Sequence, residues 1–308
     1  MVKVFLTGGS GYIGGSLLGA LPADWEVISF GRNPPASPLP PAVRFLPGDL
    51  TAPDWDPRVV RDCDVIFHLA AMKGADLCAR QAVDAVEVNV LGTHRLIRAA
   101  LEQGVRRFIF ASTYWVYGEG NEPPYHEELR VAPDELYGLT KAVSELELAC
   151  SGLDYTILRF ANIFGHGAGR GREEVIFHFI TSALRGDPLY LDGDGLQELD
   201  FIDIADVARI LAAVAVDPRA SREIFNIGSG GPVSILDFAE KVRSLVRESY
   251  SREVPMRHRS PPLPRRARRY VSMEKFRKAF PEAPLTPLDE ALRKYIAIRE
   301  SELHGTGS

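Results

Sequence analysis

Tyr137 and Lys141 stand four residues apart in Tyr137-Gly138-Leu139-Thr140-Lys141. In a helix that spacing puts both side chains on one face, so a phenol and an ammonium would point the same way. A free tyrosine titrates near pH ~10 and is a weak base at neutral pH. A nearby positive charge favours the phenolate and lowers that pKa, which would make the pair a general acid/base for a hydroxyl. Thr113 follows the run Phe108-Ile109-Phe110-Ala111-Ser112 and offers a hydroxyl that can bridge a substrate oxygen. The seven histidines show no paired spacing and the three cysteines (Cys63, Cys78, Cys150) no C-x-x-C, so no metal site is expected. His68 ends an apolar run and reads as a packed core histidine.

A second constellation is Thr7-Gly8-Gly9-Ser10-Gly11-Tyr12-Ile13-Gly14. Glycines at 8, 11 and 14 permit a tight turn, close backbone approach to a pyrophosphate, and close packing of a helix on a strand. The helix N-terminus then offers its free N–H groups to phosphate oxygens. This pattern predicts a nicotinamide dinucleotide site. Such sites usually hold the adenosine ribose with a carboxylate at the end of the second strand. Here the position reads Phe30-Gly31-Arg32. A guanidinium can pair with a 2′-phosphate, so the expectation leans to NADP over NAD. Asp49 is placed to bond the adenine amino group.

These residues need a scaffold. Strand-like runs at 2–7, 26–30, 64–68, 106–112 and 154–160 alternate with helical stretches at 12–20, 77–102 and 134–150. Alternating βα units predict a parallel sheet covered by helices on both faces, and nearly continuous apolar strands fit burial on both sides. The later half is less regular: helical patterns at 173–185, 203–215, 234–248 and 287–303, a strand at 224–228, a glycine-rich loop at 165–172 and a loop-like arginine-rich segment at 255–269. The five prolines of 34–41 predict a stiff extended loop. The tail His304-Gly305-Thr306-Gly307-Ser308 is expected to be disordered.

Composition agrees with a globular domain: 308 residues, 45% hydrophobic, 25% charged. A net charge of −5 argues against a nucleic-acid coat, including for the arginine stretch 257–269. No apolar run reaches membrane length, the N-terminus reads as a first strand without a signal-peptide core, and the odd cysteine count fits a reducing cytoplasm.

With cradle, threonine and Tyr-x3-Lys in this order, the chain resembles the extended short-chain dehydrogenase/reductases, in their NAD-dependent epimerase/dehydratase branch. The resemblance spans about residues 2–300. It also rests on HLAAMK at 68–73, NVLGT at 89–93, STYWVYG at 112–118, LRFANIFG at 158–165, DGDG at 192–195, LDFIDIADVA at 199–208 and NIGSGGPVSI at 226–235. It implies an α/β fold, a Rossmann doubly wound parallel sheet with a smaller mixed α/β substrate domain. The first part would be 1–165, re-entered at about 200–228; the second would be about 166–200 and 229–303. It implies catalysis by Thr113, Tyr137 and Lys141. It implies cofactor contacts at Gly8, Gly11, Tyr12, Ile13, Gly14, Asp49, Leu50, Leu69, Ala70, Ala71, Lys73, Asn89, Ser112, Tyr137 and Lys141, beside Arg32. Substrate contacts would come from Lys73, Thr113, Tyr114, Asn162 and a diphosphate-binding arginine among Arg265, Arg266, Arg268 and Arg269, with Arg265 and Arg268 put first. A homodimer formed through helices at about 77–102 and 134–150 is implied as well.

Two departures narrow the chemistry. The family's dehydratases carry Asp-Glu after the threonine, where this chain has Tyr114-Trp115, so dehydration by a carboxylate pair is not expected. An arginine usual before the Asp-Phe of the LDFID segment is Leu199 here. The leading expectation is a nucleotide-sugar epimerase that transiently oxidises a sugar hydroxyl. An NADPH-dependent reductase of a keto-sugar or other carbonyl is the alternative, and a non-catalytic dinucleotide sensor a third.

Overall fold

The computed structural model describes residues 1–35, 38–167, 175–261 and 267–305. The first half runs β1 (Lys3–Thr7), α1 (Tyr12–Ala20), β2 (Glu26–Gly31), β3 (Val43–Pro47), β4 (Val65–His68), α2 (Ala75–Arg80), α3 (Ala82–Val86), α4 (Gly92–Gln103), β5 (Arg107–Thr113), α5 (Leu136–Cys150), β6 (Tyr155–Phe160) and β7 (Asn162–Phe164). The second half runs α6 (Val175–Arg185), β8 (Leu189–Leu191), β9 (Glu198–Leu199), β10 (Phe201–Asp203), α7 (Ile204–Val214), β11 (Glu223–Ile227), β12 (Val233–Ser234), α8 (Ile235–Tyr250), β13 (Met256–His258), β14 (Arg268–Arg269), α9 (Glu274–Ala279) and α10 (Leu288–Gly305).

Seven strands form one parallel sheet in the order β11-β6-β5-β4-β1-β2-β3. The continuous apolar runs of β1, β4 and β5 lose water on both faces because helices cover both. Leu17 and Leu18 of α1 join Val207, Leu211 and Val214 of α7 on one side. Leu96 and Ile97 of α4 join Leu148 of α5 on the other. This is the Rossmann-like α/β fold. Strand order reverses between β1 and β4, and the crevice outside the carboxyl ends of those strands is where such sheets hold ligands. A second core gathers Phe164, Ile180, Leu184 and Leu191 with Phe238, Val242 and Leu292.

Several expectations change in detail. The single helix expected at 77–102 is broken: Gln81 leaves helical geometry (φ −124°, ψ 56°), and a π-helical turn, Glu87–Leu91, separates α3 from α4. The 255–269 segment is not all loop, since β13 pairs with β8 and β14 with β9. These strands are too short to show a two-residue period in sequence. His304 and Gly305 end α10 rather than beginning a disordered tail, and Thr306–Ser308 lie outside the described residues. Parts of the proline loop (36–37), the glycine-rich loop (168–172) and the arginine segment (262–266) also lie outside them, as do the first two residues of the helical pattern at 173–185. Among the described residues no helix is long and apolar enough to cross a membrane.

Candidate active site

The cradle joins β1 to α1. Gly8 has φ +79°, and a Cβ there would lie 2.7 Å from the Ala70 nitrogen; a Cβ on Gly14 would lie 2.1 Å from the Gly8 carbonyl oxygen. Both positions therefore require glycine. The Gly11 N–H donates to the Gly8 carbonyl at 2.9 Å and closes the turn. Gly11 caps α1 without a side-chain hydrogen bond, so no side chain competes for the helix N-terminus. Leu69 and Ala70 lie against the turn from the end of β4. The Tyr12 hydroxyl donates to the Gly165 carbonyl at 2.7 Å and ties the cradle to the chain that leaves β7. These features fit a dinucleotide pyrophosphate.

Arg32 and Asp49 stand at the adenosine side of the cradle. Arg32 is exposed and exerts its charge on Asp49. Burial works to raise the Asp49 carboxyl, but hydrogen bonds from the Thr51 N–H and hydroxyl, with Arg32 and Arg95 nearby, hold it below the ordinary range. Leu50 is buried and its carbonyl accepts from Arg95 at 2.9 Å.

Tyr137 and Lys141 occupy the first two turns of α5. Glu135 caps this helix, its carboxylate accepting from the Tyr137 N–H at 2.8 Å and from the Gly138 N–H. A Cβ on Gly138 would meet the Trp115 carbonyl at 2.6 Å, so α5 starts in direct contact with the turn after β5. Lys141 is buried. Its Nζ donates to the Ala111 carbonyl at 2.7 Å and lies 4.6 Å from the Phe110 ring centre. Burial pulls its pKa down to about 8, against the opposing charge of Glu145. The expected lowering of the Tyr137 pKa by Lys141 is not what the structure has. Burial pushes the phenol above its ordinary value, and Cys78, Glu135 and Tyr114 act in the same direction.

Thr113 ends β5, buried, and its Oγ1 accepts from the Trp115 N–H at 3.4 Å. Tyr114 is buried beside it. Its hydroxyl donates to the Asn162 Oδ1 at 3.2 Å, and burial pushes its pKa up to about 12. Neither Tyr114 nor Trp115 supplies the acid and base that an Asp-Glu pair would. Ser112 turns away and donates to Glu145, which pairs with Arg159. Asn89 is committed as well: its amide binds both backbone groups of Met72 and the Thr140 hydroxyl, at 2.8–3.0 Å, so it holds α5 against the 70–72 segment. Ala71 lies in that segment, and Lys73 is exposed at its end.

Of the expected arginines, Arg265 and Arg266 lie outside the described residues. Arg268 is half-exposed and directed to Glu198 (2.6 Å) and the Tyr270 hydroxyl (2.9 Å). Its neighbour Arg269 faces the site, 4.3 Å from the Trp115 ring centre and paired with Glu119. A cavity of about 260 Å³ opens beside it, lined in part by Asn121, Tyr125 and Arg268. The sequence reading missed the Glu145–Arg159 pair, although the series 137, 141, 145 on one helix face carried the signal.

The family model of the NAD dependent epimerase/dehydratase family matches residues 4–228. The chain belongs to the NAD dependent epimerase/dehydratase family. This member is 33% identical over 267 residues to the UDP-N-acetyl-alpha-D-glucosaminuronate decarboxylase of Bacillus cytotoxicus, covering 80% of this chain and 81% of that protein. Among solved structures it is similar to the UDP-glucose 4-epimerase of Thermotoga maritima bound to UDP-glucose, at TM-score 0.86 and 25% identity, covering 98% of this chain and 100% of that one. It is likewise similar to MoeE5 in complex with UDP-glucose and NAD, at TM-score 0.81 and 30% identity, covering 98% and 99% of the two chains. The family is NAD-dependent, and the NADP preference expected from Arg32 finds no support among these relatives.

Proposed function

We propose that this family member is a nucleotide-sugar epimerase that transiently oxidises a sugar hydroxyl at Thr113, Tyr137 and Lys141, with NAD as cofactor. The observation that carries the reading is the grouping of a helix-borne Tyr-x3-Lys pair with the β5-terminal threonine, beside a cradle only glycine can build. A bound dinucleotide would supply a reversible two-electron acceptor. Gly8, Gly11 and Gly14 would hold its pyrophosphate, Asp49 its adenine end, and Leu69, Ala70 and Ala71 its path. Tyr137 would take the proton of the sugar hydroxyl as the carbon becomes a ketone and return it when the other face is reduced. Burial alone disfavours the phenolate, so Lys141 would favour it only together with the positive nicotinamide of a bound NAD. Thr113 would bond the reacting oxygen. Asn162 would line the entrance for the sugar and Lys73 its rim, and of the candidate arginines we take Arg269, beside the Trp115 ring, for the diphosphate.

The buried Tyr114 and stacked Trp115 favour epimerase over dehydratase chemistry. A second reading has one specific support, the decarboxylase relative. Loss of CO2 from a sugar acid begins with the same oxidation, because a ketone β to the carboxylate accepts the electron pair left behind. We assign the second core to a substrate domain. The exposed Leu77, Val83, Leu139, Val143 and Leu146 on α2, α3 and α5 suit a homodimer through paired helices. Three free cysteines suit the cytoplasm.

Incubation with NAD and UDP-, GDP- or dTDP-sugars, followed by separation of the products, tests the reading. An epimer formed with no net change in dinucleotide oxidation state is expected. Net consumption of NADPH, or CO2 release from a sugar acid, would replace it.

A further inference from the structure

His68 is buried at the end of β4, and the proposed chemistry does not use it. Its Nδ1 lies 2.7 Å from the Thr7 Oγ1 and its Nε2 lies 2.8 Å from the Thr93 Oγ1. The outer contacts fix which way each proton points. Thr93 donates its hydroxyl proton to the Asn89 carbonyl at 2.6 Å, and a carbonyl can only accept. Thr93 must therefore accept from His68, which puts the ring proton on Nε2. Burial, with the Lys141 charge, pulls the His68 pKa down to about 3, so the ring is neutral and its Nδ1 is an acceptor. The Thr7 hydroxyl then donates to Nδ1, and its oxygen accepts the Ala70 N–H at 3.2 Å.

One directed chain thus runs from the Ala70 N–H through Thr7, His68 and Thr93 to the Asn89 carbonyl. That carbonyl also accepts from Ser144 of α5 at 2.9 Å. At the other end, the Leu69–Ala70 peptide is the surface on which Gly8 packs, 2.7 Å from where a Cβ would stand. We propose that His68 is a positioning residue for the dinucleotide cradle, setting the Leu69–Ala70 peptide through Thr7 and linking it to the helix that carries Tyr137. The proposal rests on the cradle being a dinucleotide site.

The test uses the full chain, calorimetric titration with NAD and with NADP, and the melting temperature of the ligand-free protein. His68→Asn places an amide near the Nδ1 position and can keep the Thr7 bond. His68→Gln places one near Nε2, keeps the Thr93 bond and loses Thr7. The expected result is an NAD Kd raised about tenfold in His68→Gln and in Thr7→Val, the loss of roughly one hydrogen bond. His68→Asn should stay within about twofold of wild type while melting as low as His68→Gln. Equal Kd changes in Asn and Gln variants that track melting temperature would show a merely structural role and overturn the proposal. If the His68 variants do not fold, Thr7→Val against Thr7→Ser decides: loss in Val restored by Ser supports it, and equal affinities overturn it. Wild type that binds neither dinucleotide overturns the cofactor reading and the positioning role together. Wild type that binds while every variant matches it overturns the role of His68 alone.

Discussion

Glu145 of α5 and Arg159 of β6 form a buried ion pair at 2.6 Å, and Glu145 also accepts a hydrogen bond from the Ser112 hydroxyl. The Arg159 guanidinium continues to the Tyr117 hydroxyl at 2.9 Å, which bonds Asn226 at 2.7 Å. One carboxylate thus fastens α5, one turn beyond Lys141, to β5 and β6 directly and to β11 through Arg159 and Tyr117. Removing one partner of such a pair leaves a buried charge unanswered. Glu145→Ala should lower unfolding stability by about 3–5 kcal/mol, read from denaturant midpoints. A change under about 1 kcal/mol, the range of an exposed pair, would show that the pair does not anchor α5.

Tyr137→Phe should keep the fold and most of the dinucleotide affinity, since among the described residues the Tyr137 hydroxyl has no hydrogen-bond partner to lose. Turnover should fall by at least about two orders of magnitude, the usual reach of general acid–base catalysis. Steady-state rates with the best nucleotide sugar check it; a rate near wild type would remove Tyr137 from the chemistry.

Lys141 should leave a mark on stability against pH. Its folded pKa, about 8, lies below the unfolded value of 10.5, with burial as the cause. Between those values the unfolded chain holds a proton that the folded chain has lost. Stability of the ligand-free protein should therefore rise with pH across that window, by roughly 1.4 kcal/mol per pH unit at most from this group. Lys141→Met should flatten that rise relative to wild type. Parallel slopes in the two proteins would mean that the ammonium keeps its ordinary pKa.

The adenosine end predicts cofactor choice. A 2′-phosphate brought to Arg32 would also feel the Asp49 carboxylate, whose pKa the Thr51 hydrogen bonds and the nearby arginines hold low. NAD should bind at least as tightly as NADP. Asp49→Asn should shift the ratio toward NADP by about tenfold, the scale of one charge-assisted bond. Titrations of both dinucleotides against wild type and Asp49→Asn check it, and a wild type that prefers NADP would contradict it.

The sequence by itself determined the parallel sheet, the cradle and the Tyr137–Lys141 pair, because each is local. A buried strand is a short apolar run, a pyrophosphate turn needs glycines at set places, and four residues are one helical turn. The Leu69–Ala70 segment was reachable only through family resemblance, since nothing local in HLAAMK says that Gly8 will rest on it. What only the tertiary structure decided are the relations between segments far apart in the chain. Lys141 turned to the Ala111 carbonyl, Asn89 was spent on Met72 and Thr140, and Arg269 rather than Arg268 faced Trp115. The direction of the Tyr137 pKa belongs to the same class. Spacing places an ammonium on the right helix face, but desolvation depends on every element packed around the phenol, and here burial raises its pKa with Cys78, Glu135 and Tyr114 acting in the same direction.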